Sequence, residues 1–244
     1  MTGRYAEILL WSAMGLCLLP GTACAAGQFK GSTDLGYAAS SGNSRTSALN
    51  AALSLDYRTG LWRHRFKMSA VSASTDGAST AEHYAATGRS ERDYSKHNFA
   101  FGQIEYLKDL FAGTRQNISV ATGYGRRILD DRSQSLDGEI GAGVRRAQEQ
   151  KPDLSWSTDA IVQIGGAYRL HISPSSSFEQ TLQIQAGQSN TFSEAVTSLK
   201  LRIKGNLALR LSYTVDHNTV APAGLAKTDT YTAIALSYQF GTTL

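Results

Sequence analysis

From Ser47 onward, apolar residues occupy every second position: Leu49, Ala51, Leu53, Leu55 and Tyr57 alternate with Asn50, Ser54, Asp56 and Arg58. A period of two marks an extended strand, because successive side chains leave a pleated backbone on opposite faces. The pattern returns at Ile118, Val120, Thr122 and Tyr124, at Leu136, Ile140, Ala142 and Val144, and at Trp156, Ala160, Val162, Ile164 and Tyr168. It continues through Phe178, Leu182, Ile184 and Ala186, through Leu199, Leu201 and Ile203, and through Leu207, Leu209, Leu211, Tyr213 and Val215. Ile234, Leu236, Tyr238 and Phe240 end the series. No window favours a helix strongly, so the expected class is all-β.

Turn signals separate these segments, among them Ser41-Gly42-Asn43, Thr59-Gly60, Asp76-Gly77, Asp130-Asp131, Ser173-Pro174 and Gly205-Asn206. Counting from Phe29 gives about twelve strands. Each is near ten residues or longer, as a strand crossing a bilayer requires, and bacterial outer-membrane barrels have an even strand number. Tight turns at Thr59-Gly60 and Gly205-Asn206 read as one end, with longer connections at 72–80, 108–116, 147–153 and 218–229 at the other. The expected architecture is a transmembrane antiparallel β-barrel of about 12 strands, of outer-membrane type, with both termini periplasmic.

Charged residues label the second face. Arg63, Arg65 and Lys67 form one basic ladder, and Lys200, Arg202 and Lys204 form another. Asp137, Glu139, Asp159 and Glu179 supply acids. In a soluble periplasmic sandwich the apolar face would point inward, whereas in a membrane barrel it meets lipid and the charged face lines the lumen. Period alone does not separate the two. The strand count and the aromatics favour the barrel. Trp62, Tyr124, Tyr168, Tyr238 and Phe240, with Tyr57, Tyr94, Phe99 and Phe178, cluster near the tight turns. Trp156, with Tyr37, Phe192 and Tyr213, falls toward the other end. Two such belts suit the two lipid interfaces, where a ring with a polar tip is favoured. The last strand, 230–240, ends in Tyr238-Gln239-Phe240, similar to the terminal aromatic strand by which barrels are recognised for assembly.

Residues 1–25 begin with Arg4, run apolar over 8–19, break at Pro20-Gly21 and reach Ala23-Cys24-Ala25, the pattern of a cleaved secretory signal peptide. The apolar run is too short to span a bilayer as a helix. A lipoprotein site at Cys24 is the alternative, weakened by Gly21 three residues before it. The barrel domain is then 26–244. Cys17 and Cys24 both precede it, leaving no disulfide, thiol nucleophile or cysteine metal site. A net charge of +4 over 244 residues, with both signs interspersed, points to no nucleic-acid partner.

Chemistry has few candidates. His64, His83, His97, His171 and His217 are scattered without metal-ligand spacing, and no serine lies in Gly-x-Ser-x-Gly. Asp216-His217-Asn218 is the nearest to a carboxylate-tuned base, as a barrel hydrolase would need. Gly123-x-Gly125 and Gly141-x-Gly143 sit within strands, where glycine marks a bend or a close approach and not a phosphate loop. No catalytic, cofactor or metal residues are therefore assigned, and no cofactor is expected.

Several short motifs resemble one family. They are Gly42-Asn43-Ser44, Tyr94 with Phe99-Ala100-Phe101-Gly102, Glu105-Tyr106, Gly123-Tyr124-Gly125-Arg126, Glu139-Ile140-Gly141-Ala142-Gly143, and the ending from Pro222-Ala223-Gly224 to Tyr238-Gln239-Phe240. Together they are similar to the salt-induced, YdiY-like outer-membrane proteins, a domain-of-unknown-function family. The resemblance implies a β-barrel in the outer membrane of a Gram-negative bacterium. Its partners would be outer-membrane lipid, the barrel assembly machinery during biogenesis, and small ions or solutes. It carries over no catalytic or ligand residues. The expected role is a narrow ion or solute channel, or a structural barrel used in the response to salt, with a barrel hydrolase or a soluble periplasmic sandwich as alternatives.

Overall fold

The computed structural model describes residues 27–40, 46–76, 78–110, 114–149, 154–221, 224 and 226–241. The segment read as a signal peptide lies outside the described residues. Twelve strands follow in order: β1 Gln28–Ser40, β2 Thr46–Thr59, β3 Trp62–Thr75, β4 Ala78–Asp93, β5 Asn98–Asp109, β6 Thr114–Asp130, β7 Gln134–Glu149, β8 Trp156–Ser173, β9 Ser176–Gly187, β10 Thr191–Lys204, β11 Leu207–Asn218 and β12 Thr228–Gly241. Each pairs antiparallel with its sequence neighbours, and β1 pairs antiparallel with β12, so the sheet closes into a barrel. Closure leaves no edge to satisfy in hydrocarbon, where an unpaired backbone group costs several kcal/mol. The ladders differ in length. β1 and β2 share thirteen residue pairs, while β1 and β12 share six.

At the end that carries both chain termini, the connections are 60–61, 94–97, 131–133, 174–175 and 205–206. Gly60 and Gly205 sit in the two-residue turns with φ of +55°, the left-handed backbone that such hairpins require. At the opposite, loop end the connections are 41–45, 76–77, 110–113, 150–155, 188–190 and 219–227. One expectation is corrected here: β3 and β4 run on to Thr75 and from Ala78, so 72–80 is mostly ladder and not loop.

Burial is inverted relative to a soluble core. Leu35, Leu49, Ile104, Val120, Ile140, Val144, Ile164, Ile234 and Leu236 are exposed around the outside, whereas Glu91, Gln103, Arg145, Gln163 and Gln185 are buried inside. An apolar outer wall around a polar interior is the arrangement a lipid-embedded barrel needs. Exposed aromatics mark both rims: Trp62, Tyr94, Tyr124 and Tyr238 toward the terminal end, and Tyr37, Tyr84, Tyr106, Trp156 and Tyr213 toward the loop end. Tyr168 and Phe240 are half-buried on the outer face of the terminal end, and Tyr168 donates to Gln134 at 3.1 Å.

Two aromatics assigned to these belts belong elsewhere. Phe99 is 2% exposed and Phe192 is 7% exposed, and both point into the barrel. Their parity explains it, since Phe99 and Phe101 alternate in phase with Gln103 and Glu105, the polar face of β5.

Candidate functional site in the barrel lumen

The interior is divided lengthwise. On the side formed by β4 to β9, side chains meet across the lumen and fill it. Arg89 of β4 is the hub: its Nε donates to Glu91 at 2.7 Å, Nη1 to Gln103 at 2.8 Å and Nη2 to Glu139 of β7 at 2.6 Å. Its guanidinium carbon also stands 4.1 Å from the centre of the Phe101 ring. Arg65 of β3 donates to Glu91 from the flank. Glu105 is held by amides and a hydroxyl: Gln183 and Gln185 of β9 donate to it at 2.8 and 2.7 Å, Gln103 at 2.8 Å and Ser119 at 3.1 Å. These β5–β9 bonds are struts across the barrel, not ladder neighbours.

Glycines admit the rings that complete this filling. A Cβ on Gly125 would lie 2.2 Å from the Phe99 ring, and one on Gly141 would lie 3.1 Å from Phe101 and 2.6 Å from the Thr122 carbonyl oxygen. Of the glycine pairs read from sequence as close approaches, Gly123, Gly125 and Gly141 are thus sockets for two inward phenylalanines, while Gly143 lies against the backbone at Val120 and Ala121.

The other side, from β9 through β12 and β1 to β3 with Arg169 of β8 and His83, Ala85 and Thr87 of β4 at its margins, keeps a cavity of about 480 Å³. Arg63, Arg65, Lys67, Arg169, Lys200 and Arg210 line it, with Asp34, Asp56, Glu179 and Glu194, and serine and threonine hydroxyls coat much of the remainder. Of the basic residues singled out on β3 and β10, Arg63, Arg65, Lys67 and Lys200 therefore share this space. They differ in pairing. Arg63 donates to Asp56 at 2.9 Å, and Arg65 is paired with Glu91. Arg210 donates to Asp34 at 3.0 Å. Among the described residues, neither Lys67 nor Lys200 has a carboxylate within 4.0 Å. Arg202 and Lys204 follow Lys200 along β10 to the terminal mouth, where both are exposed.

The four acids are placed as follows. Glu139 belongs to the Arg89 hub. Asp137 and Glu179 flank Arg169 at 3.6 and 3.1 Å. Asp159 faces Arg145 at 3.7 Å near the loop end.

Asp216 and His217 are not brought together. Asp216 points inward at 5% exposed, while the His217 ring lies on the other face with Nδ1 2.8 Å from Thr228 Oγ1. Adjacent residues on a strand cannot share a face, so the pairing that a hydrolase base would need is not formed there. The structure instead joins His83 to Asp109 across β4 and β5, with Nδ1 to Oδ2 at 3.1 Å. Tyr231 of β12 donates to the same Asp109 oxygen from across the barrel, its ring 4.6 Å from His83. Local motifs carried no signal for this pair, because 26 residues separate its members in sequence. Among the described residues, no three His, Cys, Asp or Glu side chains are arranged to hold a metal ion directly.

The NanC porin is similar in structure at 10% identity, over 87% of this chain and 97% of that one, with a TM-score of 0.48. An outer membrane channel from Pseudomonas putida F1 is similar at 11% identity, over 91% of this chain and all of that one, with a TM-score of 0.49. In sequence, the uncharacterized protein YdiY of Escherichia coli K12 is 28% identical over 211 residues, 86% of this chain and 82% of that protein. The family described as protein of unknown function, DUF481, matches residues 33–240, from the first strand to the last. The match runs from β1 into β12 and takes in β2 to β11 whole, and this chain is a member of the DUF481 family, with YdiY among its relatives.

Proposed function

We propose that the protein sits in the outer membrane of a Gram-negative bacterium with both termini periplasmic, and passes small ions or solutes through the unfilled side of its lumen, with a preference for anions. The carrying observation is the cavity of about 480 Å³ whose wall brings six cations against four carboxylates. Lys67 and Lys200 are the cations there that no described carboxylate neutralises at contact. In a confined, low-dielectric passage such charges select by sign, as charged rings do in known pores. Twelve strands enclose more than the eight that side chains fill and fewer than the 16 to 18 of an open porin, which fits a narrow route beside a filled half.

The test is conductance of the refolded barrel in a planar bilayer, comparing anion and cation permeabilities with the Lys67→Gln/Lys200→Gln variant. Discrete channels whose anion preference falls in the variant are expected. A barrel that is folded by heat-modifiable migration on a denaturing gel, yet stays silent, overturns the passage and leaves a structural role.

A further inference from the structure

Toward the loop end, the register of three adjacent strands sets three carboxylates side by side. Glu194 of β10 is the cross-strand partner of Asp216 of β11, and Asp216 is the partner of Asp229 of β12. Inward parity places all three on the lumen face. Directly opposed residues have Cβ atoms about 4.5–5.5 Å apart, and like charges so placed repel. Asp109 comes toward the same region from β5, bridged by Tyr231 and His83. Among the described residues, no lysine or arginine is ion-paired with Glu194, Asp216 or Asp229.

A second feature is independent of the acidic row. A void of about 20 Å³ opens between Asp109, Asp216, Asp229 and Asn117, room for one water-sized occupant. Asn117 of β6 is 8% exposed, and its Oδ1 is buried without a hydrogen-bond partner among the described residues. Asp216 Oδ1 is likewise buried with no hydrogen-bond partner among the described residues. Arg145 also borders the void, but its guanidinium donates to the Gln185 and Asn190 carbonyls and faces Asp159. Asn190 and Asn218 border it as well, with the Asn190 amide donating to Asn218 Oδ1, and the two wall atoms left buried without a partner among the described residues are acceptor oxygens, one neutral and one anionic.

We infer that the loop end of the lumen binds a hard divalent cation at Asp216, Asp229 and Asn117, with Glu194 and Asp109 supplying further negative charge. Oxygen-only donors of this kind suit calcium or magnesium. Among the described residues no three acids converge on one point, so the Asn117 amide oxygen joins Asp216 and Asp229 in the donor set. The ion offsets the repulsion along the acidic row and ties β6, β11 and β12 together at the mouth. Nothing in this depends on whether the lumen conducts.

The experiment is calorimetric titration of the refolded, metal-stripped barrel with calcium chloride and, separately, magnesium chloride, alongside Asp216→Asn and Asn117→Leu. Each preparation is first shown to be folded by its heat-modifiable migration. One saturable site, weakened at least tenfold in Asp216→Asn and measurably in Asn117→Leu, is expected. Folded wild-type barrel that takes up neither ion overturns the inference, as does binding that both substitutions leave unchanged. If Asp216→Asn does not fold, Asp229→Asn at the half-buried end of the row replaces it with the same expected loss.

Discussion

The two sides of the lumen have the same wall and opposite interiors. Both carry arginines, carboxylates and hydroxyls on inward positions. Along β4 to β9 these groups reach each other across the barrel, so Arg89 satisfies three partners and Glu105 accepts from four side chains. Along β10 to β3 they stand back around an open space, and among the described residues Lys67 and Lys200 face it without a carboxylate at contact. Phenylalanine makes the difference. Phe99 and Phe101 occupy volume that small side chains such as Ser32, Ser54 and Ser212 leave free on the other side. Where the lumen is filled, polar groups act as stabilising struts, and where it is open the same groups act on whatever enters.

Removing the hub should separate the halves most sharply. Arg89→Ala leaves Glu139 without its cation and Glu91 with Arg65 alone, and breaking a buried pair on one side costs about 3–5 kcal/mol. The midpoint of urea unfolding from lipid vesicles should fall accordingly, and an unchanged midpoint would mean that the struts are idle. Phe101→Ala should cost about 3 kcal/mol through the void it leaves, in the same assay, and should also raise conductance if that volume joins the open side. Glu105→Gln gives Gln183 and Gln185 a donor-bearing amide in place of an acceptor. The expected loss is about 1–3 kcal/mol, smaller than for the hub. On the open side, Lys200→Gln should move the unfolding midpoint by less than about 0.5 kcal/mol while lowering anion preference. Arg202→Gln at the exposed mouth should do least of all, changing permeability only at low ionic strength, where screening is weak.

The barrel was legible because its signal is local. Alternation with a period of two and turns at regular intervals require no knowledge of distant residues, and Leu49 to Tyr57 suffice to fix which face β2 gives to lipid. The same rule, applied strictly, would have placed Phe99 inside with Gln103 and split Asp216 from His217. Residue type and chain neighbourhood point the other way at both places, and parity overrides them. The division of the lumen was not legible in that way. It depends on β5 facing β9 and β4 facing β7 across the barrel, so that Gln103 meets Gln183 and Arg89 meets Glu139, separations of 80 and 50 residues. The basic ladders on β3 and β10 were visible as charges. That Arg63 and Arg65 are neutralised while Lys67 and Lys200 are not depends on side-chain reach, which strand periodicity does not encode.

The six-pair seam between β1 and β12 has a consequence for the order of events in the life of the chain. The first strand synthesised waits for the last, and until β12 arrives the sheet is a ribbon with two raw margins. In oil those margins are intolerable, so a half-inserted ribbon is a high-energy species and the final hairpin commits the whole molecule at once. Once made, that short junction is also where the wall is thinnest in bonds. Any sideways parting of the cylinder would begin there, at its own beginning and end.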